Sequence, residues 1–412
     1  MQPDSHFQPT ASENSDQAWT LEALQQLALA NNPTLEQARA LTWKAYGAYV
    51  QAGLYPNPTV GYLADEIGAS GTAGQQGAFI EQEFLTAGKR GLNQNVAARE
   101  QQAAQAAMAA QEIRVKTAVE REFIAILAAE RMRDLAKDLV TINGDSLEKT
   151  KSLKEPGLST DLEIELAMIE LEKAQIIQAR AENEYQSAWE RLTAVLGLSE
   201  VERRPLVGDL EKPPFDYTRS ELWDRLALAN PQIARAQFEL AKAYAAVDAA
   251  KAQVCPNVTV QVMPMYDFET EEPMAGVQVG VPLPIFNKNQ GNILAANADV
   301  VHASREIGRT EQRLRRAFAS EYQQYATARA QAERYRTSIV PSAKRSLELS
   351  KQASDVGQFS YIQVLTVQRA YTEANQEYVQ SLRDMWQSAA SLQGLLLTDG
   401  LANPNSGVDM AP

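Results

Sequence analysis

Cysteine and histidine are nearly absent from this sequence. One cysteine, Cys255, and two histidines, His6 and His302, occur in 412 residues. A single cysteine excludes an intrachain disulfide and any multi-cysteine metal site. Two histidines leave little for zinc ligation or acid–base chemistry, and no nucleophile–base pair or ligand cluster stands out, so nothing marks an enzyme or a bound cofactor. Aromatic residues are scarce at 7%, although 45% of the chain is hydrophobic; alanine is the largest single part of the difference and favours helices that approach one another closely. Positive charge is also in deficit, with a formal net charge of -13, which argues against a nucleic-acid partner. No run reaches the roughly 18 apolar residues of a membrane-spanning helix. Residues 1–17 lack the basic and apolar parts of a signal peptide, so for an exported protein that signal is expected to lie outside this sequence.

What the sequence does have is a duplication. "LALANNPTLEQA" at 27–38 returns as "LALANPQIARAQ" at 226–237, and "YPNPTVGY" at 55–62 returns as "CPNVTVQV" at 255–262. Gly157 is echoed by Gly357, and Leu192 and Leu196 by Leu392 and Leu396. The constant offset of near 200 residues marks a whole-unit repeat rather than a short solenoid period. The expected division is a disordered start over 1–18, a first repeat over 19–201, a Pro-rich connector over 202–219, a second repeat over 220–397 and a disordered tail over 398–412.

Each repeat predicts the same elements in the same order. A short helix (21–30, 220–229) ends at an Asn before a proline, where helix continuation is disfavoured. A second helix follows (34–52, 232–253), then a strand pair (59–65 with 78–84, 257–266 with 276–283). Very long helices come next, over 89–153 and 290–354, interrupted only modestly at Gly144, Gly308 and Pro341. Sixty-odd residues at 1.5 Å each give roughly 90–100 Å, so each long helix needs a partner running back beside it. Glycine-centred turns at Gly157 and Gly357 supply that partner over 160–196 and 359–396. The fold class is mainly α with a small β part.

Valines at 258, 260, 262 and at 277, 279, 281 alternate with other residues, a two-residue period with one apolar face. Four strands cannot close a membrane barrel, whose smallest examples have about eight, and open edges are not tolerated in hydrocarbon. The strands therefore form either a soluble sheet or a barrel shared among subunits, for which three chains would supply twelve. A soluble periplasmic coiled-coil scaffold or adaptor is the alternative reading.

The segments "AGLYPNPTVGY" at 52–62, "QEFLTAGKRG" at 82–91 and "VPLPIFNKNQGNI" at 281–293 resemble those of the TolC-type outer-membrane efflux family, in wording nearest its heavy-metal, CzcC-like branch. The resemblance runs from about Trp19 to Leu397. It implies a homotrimer, with an α-barrel of helical hairpins in the periplasm and a shared twelve-stranded barrel in outer-membrane lipid. The implied partners are a periplasmic adaptor and an inner-membrane RND-type pump, and the implied function is a passive gated exit duct for small molecules or metal cations.

It also implies that the hairpin tips dock the adaptor, here Gly157, Ser159, Thr160, Val356, Gly357 and Ser360. The glycines suit tight turns, and Ser159, Thr160 and Ser360 suit helix capping. Family members commonly ring the entrance with acidic residues after the second tip; this chain has Gln363 and Thr366 there. The first repeat offers Asp161, Glu163 and Glu165 instead. Asp161 and Glu165, four apart, share a helix face, and symmetric copies of such residues attract cations. The competing expectation is that acids in a first helical turn simply favour the helix dipole. Met263, Met265 and Met274 have soft-metal chemistry, but scattered methionines flanking a loop more often fill apolar gaps. Cys255 reads as a small apolar residue, and the basic run over 309–316 as a solvated helix or a subunit contact.

Overall fold

The computed structural model describes residues 18–155, 159–215, 217–355 and 358–403. Its elements run α1 (Leu21–Asn31), α2 (Pro33–Ala52), β1 (Thr59–Asp65), β2 (Gln75–Phe84), α3 (Lys89–Ser152) and α4 (Asp161–Leu196). The order then repeats as α5 (Arg219–Ala229), α6 (Pro231–Ala252), β3 (Val258–Asp267), β4 (Glu272–Gly280), α7 (Gln290–Arg334), α8 (Val340–Asp355) and α9 (Tyr361–Gln393). The internal duplication is thus structural as well as sequential. Residues of both repeats are shared between two compact units. One comprises the described parts of Met1–Leu35, Gln111–Ala229 and Arg315–Pro412, and the other Glu36–Ala110 and Asn230–Leu314.

Within the first unit the core gathers where α1 meets α3 and α4. Leu24, Ala28, Val115, Val119, Phe123, Ile126, Leu192 and Leu196 pack around Trp189, which is 1% exposed. Alanines at 167, 174, 181 and 188 form the buried stripe of α4. They let the neighbouring helix approach closely, at little cost in helix propensity. Gly197 ends α4 in the left-handed region at φ 76. A Cβ there would lie 2.5 Å from the Asn31 carbonyl oxygen, so both conformation and space require glycine. The connector adds a strand-like contact, with the Trp19 N–H donating to the Pro205 carbonyl at 2.8 Å and the Val207 N–H to the Trp19 carbonyl at 3.0 Å. The Gly400 carbonyl accepts from Thr34 Oγ1 at 3.1 Å and from Gln111 Nε2 at 3.2 Å.

The long helices match their expected extent with one addition. Gly144 and Gly308 stay helical, but a π turn over Tyr335–Ile339 separates α7 from α8. Pro341 explains it: proline lacks the N–H for a helical bond and its ring crowds the carbonyl four residues earlier, and a π turn relaxes that crowding.

In the second unit four antiparallel strands form one sheet in the order β1-β2-β3-β4. β4 begins four residues earlier than expected and stops at Gly280 rather than at 283. It starts early because Asp267 Oδ1 accepts from the Glu269 N–H at 2.8 Å and tightens the hairpin turn. It stops early because Pro282 and Pro284 carry no N–H for a ladder. Pro264 also leaves its mark, since the β2–β3 register pairs Gly77 with Met265 and Ile80 with Val262 but skips the two pairs between.

Register divides the residues between two faces. The row Val60–Ile80–Val262–Val277 is apolar across all four strands, and the adjoining row Thr59–Glu81–Gln261–Gln278 is polar. All four members of the apolar row are exposed, with Val60 71% and Val277 69% accessible. Among the described residues no helix is long and apolar enough to cross a membrane.

Candidate functional site at the hairpin ends

Two helical hairpins, α3–α4 and α8–α9, carry the tip residues singled out in the sequence. Gly157, Val356 and Gly357 lie outside the described residues. Ser159 closes the first tip, its N–H donating to the Leu153 carbonyl at 3.1 Å and its Oγ to the Thr150 carbonyl at 2.7 Å. Thr160 caps α4: its Oγ1 accepts from the Glu163 N–H at 3.2 Å, while Glu163 Oε2 accepts from the Thr160 N–H at 2.9 Å. This reciprocal box satisfies two backbone donors that the helix start would leave open. Ser360 and Gln363 repeat the arrangement on α9, the Ser360 N–H donating to Gln363 Oε1 at 2.8 Å.

The acidic candidates are therefore not equivalent. Glu163 is committed to its cap. Asp161 pairs with Lys154 at 2.6 Å, with both side chains exposed, where ion pairs contribute little. Glu165 is exposed and has no ion pair among the described residues. On α9, Thr366 Oγ1 donates to the Ile362 carbonyl of its own helix at 2.9 Å. Ser159, Glu163 and Ser360 line one cleft of about 590 Å³, together with Ser146, Lys149, Tyr361 and Gln368. Asp161, Glu165, Gln363 and Thr366 lie outside its lining.

The structure adds a polar connection between the hairpins that the sequence reading missed. Arg369 of α9 bonds Glu170 of α4, and Lys173 reaches the same carboxylate at 2.9 Å. Glu170 is only 9% exposed. Burial alone would raise its carboxyl, but the hydrogen bonds and charges of Arg369 and Lys173 outweigh it and hold the group below the usual carboxylate range. Deeper in, Gln368 Nε2 donates to Asn143 Oδ1 at 3.1 Å, both residues being buried. Tyr361 is held above the ordinary phenol range by burial, against the opposing effect of its hydrogen bond to Ser146. A signal existed in the sequence: Glu170 occupies a position of the alanine stripe of α4, and Gln368 follows Val364 and Leu365 on the buried face of α9. Polar residues inside an apolar stripe demand partners.

Elsewhere members of the basic run on α7 have partners, Arg309 with Glu306 of the same helix at 2.6 Å and Arg313 with Gln232 of α6 at 3.1 Å. Cys255 is exposed, in a turn before β3 rather than in an apolar setting. Among the described residues no group of three or more His, Cys, Asp or Glu side chains is arranged to hold a metal ion.

The sequence matches the outer membrane efflux protein family twice, over residues 24–198 and 222–396, one match per repeat. The chain belongs to that family. Membership makes it an outer-membrane efflux channel protein and not an enzyme. It is similar to the cobalt-zinc-cadmium resistance protein CzcC of Cupriavidus metallidurans, with 27% identity over 92% of this chain and 90% of the other. The nickel-cobalt-cadmium resistance protein NccC of Alcaligenes xylosoxydans xylosoxydans is 28% identical over 72% of this chain and 68% of the other. These relatives place the efflux protein in the heavy-metal branch. Its fold is that of the outer membrane protein VceC of Vibrio cholerae, at a TM-score of 0.75 and 17% identity over 91% of this chain and 95% of that one.

Proposed function

We propose that this efflux protein is the exit duct of a tripartite heavy-metal efflux system, working as a homotrimer. The carrying observation is the sheet, which has two open edges, at β1 and β4, and an exposed apolar face. Unpaired strand edges and exposed valines are costly both in water and in hydrocarbon. Three copies joined edge to edge satisfy both, giving twelve strands with the Val60–Val277 face toward lipid. A soluble scaffold would leave that face uncovered.

The remaining parts follow from the same reading. The hairpin ends dock a periplasmic adaptor, and an inner-membrane RND-type pump supplies the cargo, divalent cations of the cobalt, zinc, nickel and cadmium class. The Glu170–Arg369 connection holds the two hairpins of one chain together and acts as part of the gate, while Glu165 presents charge at the entrance. Purification in detergent followed by native mass spectrometry and planar-bilayer recording tests the duct. A trimer with discrete conductance steps is the expected result, whereas a water-soluble monomer without conductance would overturn it.

A further inference from the structure

The register of β3 and β4 brings three methionines together. Met265 pairs directly with Met274, and Met263 pairs with Gly276 on the next rung of the same face. Residues two apart on a strand share a face, so all three thioethers stand beside the Glu81–Gln261–Gln278 row and opposite the apolar one. All three are only half-buried.

Two glycines open the space they occupy. A Cβ on Gly276 would lie 3.1 Å from Met263 Cε and 3.6 Å from Met265 Cε, so both side-chain ends converge on one point above that glycine. A Cβ on Gly77, across from Met265 on β2, would lie 2.7 Å from Met265 Cγ. One rung beyond the Met265–Met274 pair, Asp267 pairs with Glu272 on the same face. The cluster therefore has three soft sulfur donors on one face, two of them with converging side-chain ends and the third on the rung beside them, and two adjacent carboxylates that draw in cations.

We propose that Met263, Met265 and Met274 form a thioether site for soft monovalent cations, copper(I) or silver(I), on the polar face of the sheet. Thioethers select such ions over harder divalent ones. Three neutral donors hold a cation without the proton release that thiolate or imidazole sites entail, which suits a contact that must also let go. Binding does not depend on the channel reading; only its use as a stepping point along a duct rests on that.

The full chain in detergent, with methionine methyls labelled with carbon-13, is titrated with silver(I), a redox-inert probe, and separately with zinc(II). The expected result is that three methyl resonances move together with silver(I), at about one ion per chain, and do not move with zinc(II). Met265→Leu and Met274→Leu, near-isosteric changes that keep packing, should each weaken silver(I) binding about tenfold or more while leaving the other methionine signals in place. Silver(I) shifts confined to methionines outside the strands, or binding unchanged in both variants, would overturn the site and leave these residues as gap fillers. Loss of conductance with silver(I) binding intact would instead count against the duct.

Discussion

Arg369 reaches across from the second hairpin to Glu170 of the first, although the two lie 199 positions apart in sequence. Glu170 is nearly covered while the Arg369 side chain is 55% exposed. The carboxylate is therefore the group that depends on the pair, and the guanidinium can return to water when the hairpins part. That asymmetry suits a contact that must break and re-form.

Removing either partner should loosen the hairpin ends. Arg369→Ala leaves Glu170 with Lys173 alone, and Glu170→Gln keeps the shape but removes the charge. We expect a coupling energy of about 1 kcal/mol in a double-mutant cycle, because Arg369 is partly solvated. Single-channel recordings should show a larger open probability in each variant, with no further increase in the double variant. Identical gating in all four proteins would detach the pair from the gate.

Acid should act on the same pair in a defined window. The folded Glu170 carboxyl titrates below its ordinary value. Its contribution is therefore fully present above the unfolded value of about 4.3 and is lost as pH falls through the lower folded one. Gating should stay constant between neutral pH and about pH 5 and change only in stronger acid. Glu170→Gln should lose that acid-dependent part. Recordings across the range decide it, and a transition near neutral pH would point to another group.

Much of this architecture was legible in the chain because a duplicated sequence states each element twice. The helices of both repeats matched within a few residues, since proline and glycine punctuation fixes their ends. The strands were less legible. The turn that tightens the β3–β4 hairpin depends on Asp267 bonding the backbone, and the early end of β4 on two prolines beyond it. Glu163 looked like an entrance charge, yet its carboxylate is spent on the Thr160 cap. The place of Glu170 in the alanine stripe signals a buried carboxylate that needs a partner, but nothing within either helix names Arg369 as that partner, because the pairing is tertiary.

Glu165 is accordingly the better test of charge at the entrance. Glu165→Gln should lower cation over anion selectivity, because its carboxylate is exposed and makes neither a cap nor an ion pair among the described residues. Glu163→Gln should matter less for selectivity, since glutamine also completes a capping box. Removing the cap itself with Thr160→Ala should cost about 1 kcal/mol and speed hydrogen exchange in the first turn of α4. Reversal potentials under a salt gradient separate the two glutamates, and equal shifts from both would return the charge to the tip as a whole.

The two faces of the sheet should respond oppositely to one kind of substitution. Val279 is 62% exposed and pairs with Val260 on the apolar face, whereas its neighbour Gln278 pairs with Gln261 on the polar one. An arginine at Val279 would face hydrocarbon and should cost about 2–4 kcal/mol if it lies near the bilayer midplane. The same residue at Gln278 would face a polar interior, leaving folding near unchanged while lowering cation conductance. Folding into lipid vesicles, followed by gel mobility, measures the first effect, and bilayer recording the second. If arginine were tolerated equally at both positions, the apolar row would not be facing lipid and the shared barrel would fall with it.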